Sequence, residues 1–170
     1  MDDKVNIIML AFFKTGNGNP RTLSFGNLFD VIRANDIDGK PILPPIQVVT
    51  FLNIVGSPPT SGETLSKMEI GEGKLLLTLR LVKDSIAENR RVGVNLGQMV
   101  LDLSQQDYAI CGTEFHFINY MHVFDIPSFP LDPGYGKYQF RIFAEWLEDG
   151  KATGEKQEMA AAYEFTVQKK

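Results

Sequence analysis

The chain has 170 residues, of which 44% are hydrophobic and 22% are charged, and its formal net charge is -4. This composition is typical of one globular domain and excludes a disordered, collagen-like or fibrous chain, so we expect a single domain over residues 1–170. The negative charge, with lysines and arginines scattered along the chain, disfavours nucleic acid and anionic membranes as partners.

Segments in which apolar residues alternate or form short runs, with Gly, Pro, Asn and Asp between them, are typical of strands and turns. Clear breaks separate the segments, as at 15–21, 36–45 and 56–62. Residues 84–91 fit a helical turn, and the apolar residues of 92–103 alternate poorly, so that this segment fits either a strand or a short helix. In chain order, the eight predicted strands are 5–13, 23–34, 46–55, 75–83, 92–103, 114–126, 137–147 and 159–168.

Strands that follow one another without a long helix predict antiparallel pairing, and eight strands exceed what one flat sheet protects from solvent. The sequence therefore predicts an all-β fold, an antiparallel two-sheet sandwich with at most one short helix. The connections 36–45 and 127–136 are long enough to cross between the sheets, as in a Greek key. A closed barrel is the alternative architecture.

Several predicted strands are apolar on both faces. In 137–147, every second residue from Tyr138 to Trp146 is apolar. The residues that alternate with them are polar, except for Phe143 and Leu147. Such strands are covered on both sides, either because they are central in the fold or because a second subunit packs on them. We expect central strands, with a homodimer as the alternative.

The sequence offers weak candidates for metal binding. His116 and His122 share a parity within one predicted strand, which places them on one face about 20 Å apart, too far to bind one zinc ion. The stretch Asn-Asp-Ile-Asp-Gly that ends at Gly39 has oxygen ligands for calcium but lacks the glutamate that completes such a loop. We expect a turn at Asp38 and Gly39, no metal and no cofactor.

A catalytic triad can be named only by combining residues whose spacing does not support it: Ser128 or Cys111 as nucleophile, His122 as base and Asp125 as orienting acid. No nucleophile elbow is present, and the glycine-rich stretches lack the ending of a phosphate loop. Cys111 follows two apolar residues, and we expect it to be a buried thiol. The sequence predicts no enzymatic activity.

The sequence favours a cytoplasmic location. Its longest apolar run, residues 7–13, is far shorter than a membrane-spanning helix, and the start Met-Asp-Asp-Lys does not fit a secretory signal peptide. A single cysteine excludes an internal disulfide, which agrees with a reducing compartment.

Residues 127–136 (PSFPLDPGYG) form a predicted loop in which rigid neighbours hold two aromatic residues. Rigid aromatic side chains in loops are good contact residues. The alternative for Phe129 is that it closes the open end of the sandwich. The candidate ligand or partner contacts are Phe129, Tyr135, Trp146, Asp125 and Asp132.

The chain carries Phe-Pro at 129–130, GKYQFRIF at 136–143 and YEFTV at 163–167. This order resembles the closing hairpin of an uncharacterised bacterial family of small immunoglobulin-like β-sandwich proteins, in which an F-P-x-x-G-x-Y-x-F-R pattern precedes a short final strand. Segments 6–10 and 28–32 are similar to the first two strands of that family. The resemblance implies a sandwich fold and assigns no functional residue.

Two functions fit these observations. The first is a non-enzymatic protein-binding or assembly module of bacterial or phage origin, whose partner is another protein or a second copy of the chain. The alternative is a β-sandwich that binds a small molecule or carbohydrate through its loop aromatics and acidic residues.

Overall fold

The computed structural model describes residues 4–13, 28–56, 74–85, 90–102, 108–111, 114–154 and 156–170. These residues form strands and turns, and the prediction of an all-β chain is confirmed. The described ranges contain no helix that is long and apolar enough to span a membrane.

Seven of the eight predicted strands agree closely with the structure. Of the segment predicted at 23–34, residues 23–27 lie outside the described residues and the strand begins at Val31, and strand Tyr108–Cys111 was not predicted. The ambiguous segment 92–103 is a strand up to its last described residue, 102, and the optional helical turn at 84–91 falls largely on residues 86–89, outside the described residues. In chain order the strands are β1 (Lys4–Phe13), β2 (Val31–Ala34), β3 (Asp36–Ile37), β4 (Lys40–Leu43), β5 (Ile46–Gly56), β6 (Lys74–Ser85), β7 (Arg90–Asp102), β8 (Tyr108–Cys111), β9 (Glu114–Ile126), β10 (Phe129–Pro130), β11 (Gly136–Glu148), β12 (Lys151–Ala152) and β13 (Gln157–Lys169).

The strands form two larger sheets and one small sheet. The first sheet has the order β1-β5-β9-β8 and is antiparallel throughout. The second has the order β2-β13-β11-β6-β7, with β12 paired to β11, and the small sheet has the order β10-β4-β3. The prediction of purely antiparallel pairing is wrong in the second sheet, because β2 runs parallel to β13. These two strands are distant in sequence, so no hairpin fixes their relative direction.

One apolar core contains side chains from both larger sheets, and we call the sheet face toward it the inner face. In the second sheet, Phe165 stacks on Phe140 and on Tyr138, with ring centroids 4.9 Å and 5.9 Å away. Ala11, Ile46 and other residues of the first sheet belong to the same core. Burying one large apolar side chain stabilises a fold by about 1.5–3 kcal/mol, so this shared core is a main source of stability.

The strands with two apolar faces lie inside their sheets. Strand β5 lies between β1 and β9, and β6 and β11 are neighbours in the interior of the second sheet. On the outer faces of β5 and β6, Val49 and Val82 are 1% and 6% exposed. The expectation of central strands is confirmed, whereas the homodimer stays a prediction.

Strand β7 contains a β-bulge that explains its irregular apolar pattern. Leu79 pairs with Gly97, but the next residue of β6, Arg80, pairs with Asn95, so Leu96 is an extra residue. An extra residue reverses the faces of all preceding positions on its strand. The poor alternation of this segment therefore reflects a bulged strand and not a helix.

The turn predicted at Asp38 and Gly39 is confirmed. Both residues have positive φ, 53° and 80°, and they connect β3 to β4 as a two-residue hairpin turn. Paired positive φ angles are characteristic of the turn type that Asp-Gly favours. The long connection 36–45 thus contains a hairpin of its own, whose two-residue strand β3 is too short to show alternation.

Candidate functional site

A pocket of about 220 Å³ lies beside the inner face of the second sheet, next to the loop formed by residues 127–136, which we call the pocket loop. Among its described lining residues, Asp132 is the one charged side chain, and most of the others are apolar. The lining residues are Leu81, Val94, Phe129, Pro130, Leu131, Asp132, Pro133 and Tyr138. The site is therefore suited to an apolar group.

Val94 marks the place where the pocket reaches the end of the sheet. It lies on the end strand β7, pairs with the buried Leu81 of β6 and is 44% exposed. The bulge at Leu96 is what places Val94 on the same face as Leu81, since regular alternation from the buried Leu101 would turn it outward. The bulge thus helps to form the pocket.

Lys83 of β6 fixes the pocket loop to the sheet. Its Nζ donates hydrogen bonds to the carbonyl oxygens of Pro133, at 2.5 Å, and Tyr135, at 2.6 Å. The same ammonium lies 5.4 Å from the centroid of the Tyr138 ring. A hydrogen bond to a charged group contributes about 1.5–3 kcal/mol, so the loop is held in place before any ligand arrives.

The β3–β4 hairpin holds the pocket loop from the other side. Lys40 Nζ donates to Asp132 Oδ1 at 2.6 Å, and the Tyr135 hydroxyl donates to Asp36 Oδ2 at 2.9 Å. Strand β10, within the loop, pairs with β4. The carboxylate of Asp132 is therefore already paired with a cation at the pocket.

Two tyrosines of this region keep their protons at neutral pH. Burial raises the pKa of Tyr138 to about 12, and its hydroxyl donates to the carbonyl oxygen of Gly134. Burial also raises the pKa of Tyr135, and the hydrogen bond to Asp36 and the charge of that residue act in the same direction. Both phenols act as structural hydrogen-bond donors.

The structure brings together three of the five residues that the sequence singled out. Phe129 and Asp132 line the pocket, and Tyr135 packs against the core from the same loop. Phe129 is half-buried and contacts the core, so it closes this end of the core and also forms part of the pocket. Its role as a ligand or partner contact stays a prediction.

The other two predicted residues lie elsewhere. Trp146 is eight residues along β11 from Tyr138, roughly 26 Å at about 3.3 Å per residue, so it belongs to the opposite end of the strand. Asp125 is exposed on β9, where its Oδ1 accepts a hydrogen bond from Gln47 Nε2 at 2.9 Å. A single site containing all five residues is not formed.

The arrangement of β9 excludes the triad that could be named from the sequence. His122 pairs with the buried Thr50, whereas Asp125 pairs with Gln47, so the two residues face opposite sides of the sheet. The His122 ring packs edge-to-face on Phe124 with centroids 4.5 Å apart, and burial lowers the pKa of the imidazole. The Ser128 hydroxyl donates to a backbone carbonyl at 2.8 Å.

The prediction that both histidines share one face assumed a regular strand, and β9 is not regular between them. Leu52 pairs with Tyr120, but Ile54 pairs with Phe117, so the alternation shifts before His116 is reached. The side chains of His116 and Cys111 lie outside the described residues. Within the ranges that the structure describes, no three His, Cys, Asp or Glu side chains come together as a metal site.

Glu145 is a buried carboxylate that sequence reasoning did not single out, because alternation placed it on the polar face of its strand. It is 2% exposed, and its Oε1 accepts a hydrogen bond from the Gly154 amide at 2.6 Å. In the part of the chain that the structure describes, its Oε2 has no hydrogen-bond partner. One carboxylate held by one amide does not define a metal or catalytic site.

No protein-family model matches the chain, and comparisons with curated proteins and with solved structures give no match. The resemblance to a bacterial family of immunoglobulin-like sandwiches therefore stays a prediction. The candidate site rests on the geometry of the pocket and its loop.

Proposed function

We propose that this protein is a non-enzymatic protein-binding module of bacterial or phage origin, and that its pocket holds an apolar side chain of the partner. The observation that carries the proposal is a mostly apolar pocket that meets the sheet end at the exposed Val94. Buried apolar pockets that receive a side chain are typical centres of protein interfaces. The partner is another protein, with a second copy of the chain as the alternative.

The rigidity of the pocket loop supports binding. Lys83 and the β3–β4 hairpin fix the loop through hydrogen bonds, so the loop loses little conformational freedom when a partner binds. The charged groups of this region also support a non-enzymatic role, because Lys83 and Asp132 are occupied with carbonyl oxygens and with Lys40.

The alternative, a site for a small molecule or carbohydrate, has less support. Small-molecule sites usually measure about 300–1,000 Å³, which is more than the 220 Å³ of this pocket. Trp146, the aromatic platform that this alternative needs, lies at the other end of β11. One apolar side chain is a better match to the size of the pocket.

A displayed library of random ten-residue peptides tests the proposal. The folded protein selects peptides, and fluorescence anisotropy then measures their affinity for wild type, Val94→Trp and Val100→Trp. Val94→Trp fills the opening of the pocket, whereas Val100→Trp adds the same side chain at a 52% exposed position on the outer face of the same strand.

We expect Val94→Trp to weaken the selected peptides at least tenfold and Val100→Trp to leave them unchanged. Equal affinity for all three proteins, or no enriched peptide, would contradict the proposal. Circular dichroism on both variants confirms that each remains folded.

We also propose that the two larger sheets pack face to face as a Greek-key sandwich, in a protein of the cytoplasm. Support for the packing comes from the one core that they share and from Gly97 of β7, where an added Cβ would lie 3.0 Å from Phe124 of β9. The stability of Gly97→Ala, compared with that of Gly93→Ala, tests this arrangement.

A further inference from the structure

Strand β7 offers a long backbone surface beside the pocket. It has 13 residues, contains no proline and is the end strand of its sheet. Among the strands that the structure describes, β6 is the one that pairs with it. The backbone groups that an end strand directs away from its sheet are available to pair with another chain.

Arg80 reaches toward the same strand on the outer face. A Cβ added at Gly93 would lie 2.8 Å from Nη2 of Arg80, so the guanidinium covers this glycine where any larger residue would displace it. The ring of Phe143 supports the guanidinium, with its centroid 5.2 Å from Arg80 Cζ. Arg80 Nε is buried and has no hydrogen-bond partner among the described residues. Arg80 as a whole is half-buried, and a cation with an unused donor favours an anionic group nearby.

Gly93 and Val94 are neighbours on opposite faces of β7. Val94 pairs with Leu81 on the inner face and lines the pocket, whereas Gly93 pairs with Val82 on the outer face, beneath Arg80. A strand that paired with β7 at this level would place two successive side chains in the same way. One of them would point to the pocket and the next to the guanidinium.

We propose that the partner supplies an extended segment that pairs with β7 as an added strand and carries an apolar residue next to an acidic residue. The apolar side chain enters the pocket, and the carboxylate pairs with the Arg80 guanidinium on the opposite face. Strand addition combines backbone hydrogen bonds for affinity with side-chain pockets for specificity. This inference rests on the proposed function, because it uses the same pocket, and it adds the backbone pairing and the charge.

The same peptide selection tests the inference through three measurements. None of them should show an effect if the partner only inserts a side chain into the pocket. Enriched peptides should carry Asp or Glu next to the apolar residue. Arg80→Gln should weaken them at least tenfold and abolish the preference for acid over amide. Arg33→Gln is the matched control, because Arg33 is exposed on β2 at the opposite end of the same sheet.

Backbone N-methylation of the selected peptides is the third readout, and it leaves the protein unaltered. Only every second amide of an added strand faces β7. Methylation of the residues whose amides face β7 should therefore weaken binding at least tenfold, and methylation of the residues between them should have little effect. This pattern distinguishes an added strand from a side chain that merely enters a pocket.

Different results overturn different claims. Peptides that Val94→Trp no longer binds, but that show no acid preference and no effect of methylation, would overturn the strand-addition proposal and leave the proposed function standing. If Val94→Trp has no effect, the proposed function itself fails. A wild-type dimer in light scattering that Val94→Trp converts to a monomer would make the partner a second copy and overturn a separate partner.

Discussion

The two ends of strand β11 are built in different ways. Before its first residue, the pocket loop is held by hydrogen bonds between residues 50 to 99 positions apart in the chain. After its last residue, the chain turns to β12 through Asp149 and Gly150 alone, with φ angles of 49° and 73°. The first connection depends on distant contacts, and the second is a local turn that its own residues favour.

This difference separates the part of the molecule that forms a site from the part that only reverses the chain. The pocket exists because β6, β7 and the β3–β4 hairpin meet the pocket loop. The hairpin at 148–151 needs no such support. Substitutions at the two ends should therefore have unequal effects on stability and on binding.

Lys83→Met should give the largest effect. It removes the two bonds to the carbonyls of Pro133 and Tyr135, and we expect the free energy of unfolding to fall by about 2–3 kcal/mol. Urea denaturation measures the loss. Lys151→Met, at an exposed position of the opposite hairpin, should change the free energy by less than about 0.5 kcal/mol. Similar losses in the two variants would contradict the contrast between the two ends.

Two glycines of β7 give the next comparison. Gly97→Ala places a Cβ 3.0 Å from the buried ring of Phe124, and we expect it to cost about 1–2 kcal/mol. Gly93→Ala meets only the far end of the Arg80 side chain, which can move, and should cost less than about 1 kcal/mol. If both variants were equally stable in urea, the packing of β7 on β9 would be in doubt.

The long strands could be predicted because alternation over ten or more residues is a strong signal. Strand β9, for example, has the predicted bounds, Glu114–Ile126. Strands β3, β10 and β12 contain two residues each, too few to show any period, and β10 includes a proline. The parallel pairing of β2 with β13 joins distant segments, for which the sequence holds no local signal.

The candidate site could be predicted only in part. Phe129 and Asp132 were found because loops rich in proline and glycine often carry contact residues. Val94 was missed because its position depends on the bulge at Leu96. In the sequence, such a bulge is visible only as an interruption of the alternation between apolar and polar residues. Lys83 was missed because a lysine near the end of a strand is usually solvated, and its two carbonyl partners are 50 and 52 positions away.

Tyr138→Phe should lower the free energy of unfolding by a smaller amount, and this difference from wild type should shrink as the pH rises above 10. The lost hydroxyl bond to Gly134 should cost about 1 kcal/mol at neutral pH. Because burial raises the pKa of Tyr138 to about 12, the unfolded chain releases this proton near pH 10 while the folded chain retains it. Stability that is complete below pH 10 should therefore decrease between about pH 10 and 12.

Urea denaturation across this pH range compares the variant with wild type. The decrease should be shallower in Tyr138→Phe, with a remainder from Tyr135 and Tyr163, whose pKa values burial also raises. If the free energy of unfolding fell equally with pH in the two proteins, Tyr138 would have the same pKa in the folded and unfolded states, which would contradict the prediction.

His122→Gln should give the smallest change in stability, and this change should appear at acidic pH. Burial lowers the pKa of His122, so the folded protein resists protonation while the unfolded chain is protonated below about pH 6.5. The contribution is complete above that pH and is lost as the pH falls through the lowered pKa. Thermal unfolding between pH 7 and 5 should show a shallower decrease in His122→Gln. The same titration of His116→Gln shows how much of the slope belongs to the other histidine.

Hydrogen–deuterium exchange with a selected peptide tests most directly whether the pocket end of the second sheet is the binding surface. We expect the amides of β7 around residues 92–98 and of the pocket loop to exchange more slowly when the peptide is bound. The hairpin at 148–151, on the far end of β11, should not change. Protection confined to that hairpin, or no protection of β7, would contradict binding at the pocket end of the second sheet.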